Sequence, residues 1–394
     1  MNNIVFITNT FPSSDNQKRG LFNFRAAKSL RANVELDIVH LRAWKPFRNL
    51  KEQTTIHGLQ ITVISLPLLH SKYFSIWGLQ LWFYKRIVFF LLKKKINNFD
   101  AIHTVGASFS GIVGSFLSKK TKTPHISQCI GSDVNFSLPK IKNSFGVKNW
   151  EKHVNIFTCN SKALSERVHQ LYPDKRSEVI YRGVNLNEFR PNVQKYSNPS
   201  SLTCLFIGGL SKRSEIGFGR NLKGGITLLH AWKEAFSTFK KKSKPKLIFG
   251  GPEVTRELVC ELLQLNDFDR LNIEVVGNLN KEKVVSLMSD AHLVIIPSMQ
   301  EGLPNVAFET YASGCALIAS NVGGIPEIVE NNINGLLCKS GNENELAEAI
   351  LFAVQNPDWV VETGKQNRTI AEERYDSKNF TQKYLELYQW LKKE

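Results

Sequence analysis

Residues 295–309 read IIPSMQEGLPNVAFE, and this stretch decides the fold assigned to the second half of the chain. Its apolar start predicts a buried strand that ends at Pro297, and a loop follows to Gly302. Pro304 predicts the first residue of a helix, because a helix does not need an N–H group there. The free N–H groups of such a helix, from Asn305 to Ala307, would point back at the end of the strand, where they favour binding of a phosphate.

Two glutamates flank this predicted anion site. Glu301 lies in the loop before it, and Glu309 lies about one and a half turns into the predicted helix. A carboxylate accepts hydrogen bonds from two neighbouring hydroxyl groups, as on a ribose or hexose ring. Charged residues beside a helix start are usually solvated, but a phosphate site between this pair favours a nucleotide sugar as the ligand.

Two more loops follow predicted strands in this half. Residues 321–327 read NVGGIPE, and the two glycines allow the backbone to approach a ligand closely. Residues 208–225 read GGLSKRSEIGFGRNLKGG and carry four cations suited to neutralise a diphosphate leaving group: Lys212, Arg213, Arg220 and Lys223. An ordinary turn and a solvated basic loop remain the alternatives. Neither loop contains a P-loop or a GxGxxG dinucleotide fingerprint.

Short apolar runs alternate with helical patterns along the whole chain. Strands are predicted in the first half at residues 4–7, 36–40, 61–65, 101–104, 125–128, 156–159 and 179–181, and in the second at 203–207, 246–249, 273–276, 293–296, 316–319 and 335–338. Strands separated by helices indicate parallel pairing and an α/β class. Ligands of such sheets bind outside the carboxyl ends of the strands. We therefore expect two Rossmann-like domains that face each other across a cleft.

A stretch without periodicity lies between the halves. Residues 190–201 read RPNVQKYSNPSS and predict a linker, because Pro, Ser and Asn favour irregular structure. We expect a first domain at residues 1–190 and a second at residues 200–375. Residues 376–394 predict an amphipathic helix, for which capping of the second domain is the simplest interpretation.

Composition and charge narrow the class of protein. The chain has 394 residues, of which 42% are hydrophobic and 22% charged, and these values exclude a disordered or collagen-like chain. Residues 1–195 hold 29 basic and 11 acidic side chains, whereas residues 196–394 hold 22 and 24. The excess positive charge therefore belongs to the first half, where it favours an anionic partner.

Residues 73–95 form the most membrane-like stretch, YFSIWGLQLWFYKRIVFFLLKKK. Lys85 and Arg86 lie in its middle and argue against a spanning helix, because central charges are costly in a bilayer. Two interpretations remain open. One is a core helix with a basic end, and the other is an interfacial helix with aromatic residues among lipid headgroups and lysines on anionic lipid.

The chain start and the cysteines bear on localisation. The start, MNNIVFITNT, lacks the basic region and long apolar stretch of a secretory signal. The six cysteines form no CxxC pair, so no zinc or redox motif is apparent. Both features favour a cytoplasmic protein in a reducing compartment.

The motifs together resemble one family. PSMQEGLPNVAFE at residues 297–309 is followed by ASGCALIASNVGGIPEIV at 312–329, with NGLL at 334–337 and LKGG at 222–225. This combination resembles the donor-binding domain of the retaining glycosyltransferases of family 4, also called group 1, which have the GT-B fold. Weaker matches cover the first half: FP at 11–12, Gly20, DAIH at 100–103, GSD at 131–133 and GVN at 183–185.

The resemblance implies roles for individual residues. Glu301 would hold hydroxyl groups of the donor sugar, and Glu309 would bind the ribose diol. Lys223 and Arg220 would stabilise the diphosphate, and the terminal helix would return to the first domain. The other donor-binding candidates are Gly302, Leu303, Asn305, Val306, Gly208, Gly209 and Gly20. The candidates on the acceptor or sugar side are His103, Gly131 and Asp133.

Three departures from the family pattern concern sugar specificity. The family has an arginine at the position of Gly209, which Arg220 or Arg213 would replace here. It often has a histidine, which would face the donor sugar, where this chain has Ile130. The last departure replaces the usual asparagine and aspartate around the GVN motif by Arg182 and Asn185.

The resemblance also implies the reaction and its partners. It implies retention at the anomeric carbon, with no metal and no cofactor beyond the nucleotide-sugar co-substrate, expected to be a UDP-sugar with GDP as the alternative. The expected acceptor is a lipid-linked or oligosaccharide molecule of surface polysaccharide or glycolipid synthesis, at an anionic membrane surface contacted by residues 73–95. No specific nucleic-acid partner is expected, since no recognition motif is present.

Two other classes of function remain as alternatives. A GT-B-like cleft also serves nucleotide-sugar epimerases and hydrolases, and an epimerase would change the sugar donor without an acceptor. A donor-binding or basic membrane-binding protein without activity is the second alternative. Purely ionic binding of nucleic acid by the basic half would fade steeply as salt rises.

Overall fold

The fold is described from a computed structural model of the chain. It describes residues 2–13, 20–44, 49–66, 74–197, 202–210, 219, 221–237, 245–264 and 269–393. The chain folds as two compact units, of which the first comprises Met1–Tyr181 with Phe380–Glu394 and the second comprises Arg182–Asn379.

The first unit contains, in its described part, an eight-stranded sheet in the order β3-β4-β2-β1-β5-β6-β7-β8. All neighbouring strands pair in parallel except β3 and β4, which form an antiparallel hairpin. The strands are β1 (Asn3–Thr8), β2 (Glu35–Ala43), β3 (Lys51–Ile56), β4 (Leu59–Leu66), β5 (Ala101–Val105), β6 (His125–Cys129), β7 (Ile156–Cys159) and β8 (Ser177–Val179).

Helices cover both faces of this sheet. Those between the strands are α1 (Leu21–Arg31), α2 (Phe74–Ile96), α3 (Ser110–Thr121), α4 (Leu138–Ile141) and α5 (Lys162–Leu171). The last helix of the chain, α12 (Ser377–Leu391), buries one face against the sheet of the first unit. Its buried side chains are Phe380, Tyr384, Leu387, Tyr388 and Leu391. The predicted return of the terminal helix to the first domain is confirmed.

The second unit contains, among its described residues, a six-stranded parallel sheet in the order β11-β10-β9-β12-β13-β14. Its strands are β9 (Thr203–Ile207), β10 (Lys246–Gly250), β11 (Ile273–Gly277), β12 (Leu293–Ile296), β13 (Ala316–Ser320) and β14 (Leu336–Cys338). Its helices are α6 (Gly225–Ser237), α7 (Arg256–Leu263), α8 (Lys281–Asp290), α9 (Asn305–Ala312), α10 (Glu343–Gln355) and α11 (Pro357–Arg374). The expectation of two α/β domains with parallel sheets is confirmed.

The division between the units differs from the predicted boundaries. Residues 182–190 belong to the second unit, not the first. Near the end of the chain, the first unit resumes at Phe380 rather than at the predicted residue 376. The stretch expected to be a linker is bound to the second unit. The Asn192 N–H donates to the Ser289 carbonyl over 3.0 Å, and the buried Lys195 ammonium donates to the carbonyls of Ala291 and Ser313.

Candidate active site

Three loops of the second unit meet at the carboxyl ends of neighbouring strands. They follow β9, β12 and β13, which lie side by side in the sheet. The Met299 N–H donates to the Leu222 carbonyl over 3.0 Å, and the Gly324 N–H donates to the Gly302 carbonyl. The loop after β12 is therefore bonded to each of the other two.

Glycines make this close approach of backbones possible. Gly224 has a positive φ of 70°, and a Cβ there would collide with the carbonyl of Pro297. Gly323 has a φ of 57°, and a Cβ there would meet the carbonyl oxygens of Glu301 and Gly302. Both positions combine a left-handed backbone with a lack of space, so a side chain at either one would push the loops apart.

Lys223 and Glu301 form an ion pair where these loops meet. The Ser298 hydroxyl donates to the same carboxylate oxygen of Glu301 over 3.0 Å, and Ser298 itself is fully buried. The Glu301 side chain is 12% exposed and that of Lys223 is 37% exposed. The buried Ser298 thus holds the carboxylate of Glu301 in place, while the ammonium group of Lys223 still reaches solvent.

Helix α9 begins one residue later than predicted. Pro304 is the N-cap residue with an extended backbone, and Asn305 is the first helical residue. The Ala307 N–H donates to the Pro304 carbonyl over 3.1 Å. Of the three N–H groups that the sequence assigned to an anion, those of Asn305 and Val306 therefore remain as the exposed end of the helix dipole.

The remaining donor-side candidates lie around this helix start. Gly302, Asn305 and Val306 are half-buried, whereas Leu303 is buried and anchors the turn. Glu309 lies four residues after Asn305, hence on the same face of α9, and is half-buried. Glu301 lies in the loop before α9 and Glu309 lies within the helix, and the role of Glu309 in binding ribose stays a prediction.

The glycine pair after β9 supports Lys223. A Cβ at Gly208 would lie 2.9 Å from the Cβ of Lys223, and one at Gly209 would lie 2.7 Å from the Pro252 carbonyl oxygen. Gly208 therefore permits close packing beside the lysine, and Gly209 permits close packing against Pro252. Arg220, predicted as a second cation of this site, lies outside the described residues, as do Lys212 and Arg213.

Gly20 is the N-cap of α1 in the first unit. It has a φ of 75°, and a Cβ there would lie 2.6 Å from the carbonyl of Thr10. Asn23, one turn into the helix, donates to the same carbonyl over 2.7 Å. Close backbone approach at Gly20 thus fixes the loop after β1, and its contact with a sugar donor stays a prediction.

Asp133 does not present its carboxylate to a ligand, contrary to its assignment to the acceptor or sugar side. The side chain is buried and accepts hydrogen bonds from the backbone N–H groups of Ala107, Ile130, Gly131 and Val134, over 2.6–3.1 Å at closest. Burial raises the pKa of Asp133, and the four N–H groups act in the opposite direction. Gly131, with a φ of 114°, forms part of the same turn. The pair organises the loops after β5 and β6.

The structure also argues against the assignment of His103 to the acceptor or sugar side. Its ring is fully buried in β5, stacks on Tyr384 at 4.7 Å between ring centres, and hydrogen-bonds the Tyr388 hydroxyl over 2.7 Å. Burial lowers the pKa of His103 to about 3, so the ring is neutral. The side chain therefore anchors α12 and is not available to an acceptor sugar.

The sequence interpretation missed the residues that hold the two charged groups. Ser298 binds Glu301, and its carbonyl accepts a hydrogen bond from the Ser340 hydroxyl over 3.3 Å. Asn221 accepts from the N–H groups of Ile226 and Thr227 at the start of α6, which fixes the loop that carries Lys223. A capping asparagine just before a helix was a readable signal. The contact between Ser340 and Ser298 joins residues about forty positions apart, and no sequence signal indicated it.

Two family models match parts of this chain. The family model described as Glycosyl transferases group 1 matches residues 226–374, and that described as Glycosyltransferase Family 4 matches residues 60–188. The chain is 31% identical over 316 residues to an alpha-maltose-1-phosphate synthase of Mycolicibacterium smegmatis, covering 74% of this chain and 80% of that protein. The chain belongs to the group 1 glycosyltransferases. Glu301 and Glu309 both lie within the matched part of the second unit.

Other members of the family are similar over much of their length. A putative teichuronic acid biosynthesis glycosyltransferase of Bacillus subtilis is 24% identical over 95% of both chains. An N,N'-diacetylbacillosaminyl-diphospho-undecaprenol alpha-1,3-N-acetylgalactosaminyltransferase of Campylobacter jejuni is 29% identical over 76% of this chain and 80% of that protein. The chain spans 66% and 58% of the length of two uncharacterized glycosyltransferases of Methanocaldococcus jannaschii, at 29% and 25% identity.

Solved structures of similar fold place the chain in the GT-B class. Anabaena HepE in complex with UDP superposes with a TM-score of 0.71 at 18% identity, covering 98% of this chain and 99% of that one. A sucrose-phosphate synthase of Thermosynechococcus elongatus gives a TM-score of 0.70 at 18% identity, covering 99% of both chains. At this identity the likeness establishes the two-domain α/β fold alone. Among the described helices, none is both long and apolar enough to cross a membrane.

Proposed function

We propose that this chain transfers a sugar, with retention of anomeric configuration, from a UDP-sugar to a lipid-linked or saccharide acceptor in surface polysaccharide or glycolipid synthesis. The observation that carries the proposal is that Glu301, Lys223 and the start of α9 lie in loops at the carboxyl ends of inner strands of the second sheet, where Glu301 and Lys223 form an ion pair. These groups match the hydroxyls and the diphosphate of a nucleotide sugar.

The proposed chemistry follows from where charge develops. Cleavage of the bond between the anomeric carbon and the phosphate oxygen leaves negative charge on the diphosphate. In this proposal the Lys223 ammonium and the N–H groups of Asn305 and Val306 stabilise that charge. Removal of one such group typically raises the barrier by about 3–4 kcal/mol.

Retention is proposed through attack on the front face of the sugar. The acceptor oxygen bonds the anomeric carbon on the side from which the diphosphate departs, and the acceptor proton passes to the departing phosphate oxygen. In this scheme Glu301 binds sugar hydroxyls and does not act as the nucleophile. No metal or cofactor is needed, because a lysine and a helix dipole carry the leaving-group charge. Trapping of a covalent glycosyl-enzyme on a first-unit side chain would contradict this scheme.

The choice of UDP and of a lipid-linked acceptor is supported by the similar proteins. HepE is described in complex with UDP, and the Campylobacter jejuni relative is named for a diphospho-undecaprenol acceptor. The Bacillus subtilis relative is named for teichuronic acid biosynthesis. A lipid-linked acceptor would also suit the basic first half of this chain. The enzyme would then act at the cytoplasmic face of a membrane.

A thermal-shift panel of UDP-, GDP-, CMP- and dTDP-sugars tests the sugar donor. A ligand at about a hundred times its dissociation constant adds roughly 2.7 kcal/mol to the free energy of unfolding. We expect a UDP-sugar to raise the melting temperature of the wild type but not of Glu309→Ala. The matched control is Glu348→Ala, which removes an exposed glutamate of α10 in the same unit. Equal shifts in all three proteins would contradict the assigned donor site, and stabilisation by another nucleotide alone would contradict UDP.

A further inference from the structure

Helix α2 has two faces of different character. Its inner face belongs to the core, where Leu81, Tyr84, Val88, Leu92 and Ile96 are buried. Its outer face exposes three large apolar side chains: Leu79 at 56%, Phe83 at 54% and Phe90 at 66%. Their spacing places them along one stripe of the helix. A stripe of exposed large apolar side chains marks a surface that binds a partner.

A fourth apolar side chain is held beside this stripe by close backbone packing. Phe145 is 67% exposed and stacks on Trp82, with ring centres 6.2 Å apart. A Cβ at Gly146 would lie 2.8 Å from the Gly78 carbonyl oxygen, so the loop presses directly on the helix. Lys85 donates to the Gly146 carbonyl over 2.6 Å. The backbone that presents Phe145 to solvent is thus fixed against α2.

The sequence around this surface is almost free of negative charge. Residues 53–150 contain twelve lysines and arginines but only two acidic residues, Asp100 and Asp133. Asp100 pairs with Lys392 over 3.0 Å, and Asp133 is buried with its oxygens bonded to backbone N–H groups. The two acidic residues of the segment are therefore bonded to groups other than Arg86, Lys93 and Lys94 of α2.

Two cations of α2 lie against aromatic rings in or beside the stripe. The Arg86 guanidinium lies 3.8 Å from the centre of the Trp82 ring, and the Lys93 ammonium lies 4.4 Å from the centre of the Phe90 ring. Burial, with Arg86 and Lys119 nearby, lowers the pKa of Lys85, which reflects the density of positive charge. Aromatic rings beside cations suit the boundary between lipid headgroups and acyl chains.

We propose that this outer surface of α2 docks the first unit onto an anionic phospholipid membrane. The surface comprises Leu79, Phe83, Arg86, Phe90, Lys93, Lys94 and Phe145. The apolar side chains enter the headgroup region, and the cations bind lipid phosphates. A membrane is favoured over a nucleic acid because an aliphatic side chain and three phenyl rings gain most from an apolar phase. The proposal extends the proposed function, since a lipid-linked acceptor resides in such a membrane.

The apolar part is tested by flotation of the full chain with vesicles, without sugar donor or acceptor. The vesicles are phosphatidylcholine alone, or equal parts phosphatidylcholine and phosphatidylglycerol. We expect binding to the mixed vesicles, and at least about a tenfold loss of affinity for Phe83→Ser combined with Phe90→Ser. The matched control combines Ile333→Ser with Phe352→Ser, two exposed apolar residues of the second unit, and should bind like the wild type.

The charged part is tested with Lys93→Gln combined with Lys94→Gln. Each lysine near an anionic surface contributes about fivefold in affinity, so the pair should lower binding roughly thirtyfold. The matched control, Lys383→Gln combined with Lys393→Gln, removes two exposed lysines from the last helix and the residues after it. We expect this control to bind mixed vesicles like the wild type.

Three outcomes would overturn the proposal. They are a wild type that ignores anionic vesicles, target variants that bind as well as their controls, and binding that needs the lysines but not Phe83 and Phe90. In the last case, displacement from vesicles by RNA would identify a general polyanion surface. Unchanged melting temperatures confirm that the variants fold. A retained thermal shift with UDP-sugar keeps the outcome separate from the proposed transferase reaction.

Discussion

The loops after β6 and β12 each follow the carboxyl end of a strand that pairs in parallel with its neighbours, yet they use an acidic residue in opposite ways. Asp133 directs its carboxylate at four backbone N–H groups within the first unit. Glu301 directs its carboxylate at two side chains, of Lys223 and Ser298. Backbone partners cannot move away without unfolding the loop, whereas a lysine side chain can exchange one anion for another. The kind of partner, rather than the position after a strand, separates the structural carboxylate of Asp133 from that of Glu301, for which we propose ligand binding.

The largest effect expected from this contrast concerns Asp133→Ala. The change leaves four N–H groups of the loop without their acceptor, at about 1 kcal/mol or more for each. We expect the free energy of unfolding to fall by about 4 kcal/mol, measured by urea denaturation. The control is Asp174→Ala, an exposed aspartate of the same unit, which should change stability little. A loss for Asp133→Ala no larger than the control would remove its structural role.

The next effect concerns catalysis in the second unit. Lys223→Met should lower kcat by about a hundredfold or more, because the leaving diphosphate loses its cation, at roughly 3 kcal/mol in the barrier. The measurement is sugar transfer with the donor found by thermal shift. Lys246→Met is the control, since Lys246 is also an ion-paired lysine of this unit but lies at the start of β10. Equal rates for Lys223→Met and wild type would show that the ion pair is only structural.

A third effect concerns the first unit, where a buried histidine makes stability depend on pH. Burial lowers the pKa of His125 to about 3, with nearby Lys175 adding to it. An unfolded histidine takes up a proton below about pH 6.5, but this ring in the folded chain does not. Stability should therefore fall with acidification, by roughly 2 kcal/mol for this ring at about pH 5.

The check compares urea denaturation of wild type and His125→Gln at about pH 7 and about pH 5. The variant should lose less on acidification even if it is less stable at both values. The raised pKa of Asp133 acts in the opposite direction in both proteins, so the difference between them isolates the histidine. An identical loss in both proteins would contradict a neutral buried ring.

The sequence predicted the second unit more completely than the first. Its strands are short apolar runs with glycine and proline after them, so 203–207 and 293–296 agree with β9 and β12 residue for residue. In the first unit β3 was missed, because its mostly exposed, polar residues resemble a loop. The two-residue turn at His57 and Gly58, both with positive φ, was its signal.

The candidate site was predictable where its residues lie close together in the sequence. Glu301 and the start of α9 are read from one stretch, and the glycines of the other loops follow from their positions after strands. The burial of His103 was not readable, because the helix that covers it lies almost three hundred residues later in the chain. The N–H groups that occupy Asp133 likewise come partly from Ala107, in a different loop.

The smallest effect is the sharpest test of the contrast between the two loops. Glu301→Gln and Asp133→Asn are the same chemical change, a carboxylate to an amide. In Glu301→Gln the amide oxygen still accepts from Ser298, and the half-exposed Lys223 returns to water, so stability should change by at most about 1 kcal/mol.

In Asp133→Asn the new NH₂ group faces N–H groups that need an acceptor, so the loss should be clearly larger than that of Glu301→Gln. Urea denaturation of both variants alongside wild type measures the difference. Sugar transfer should rank them in reverse, with Glu301→Gln the more damaged relative to its folded fraction. Equal stability losses would mean that Glu301, like Asp133, holds the fold together, and its assignment as the residue that binds the donor sugar would fail.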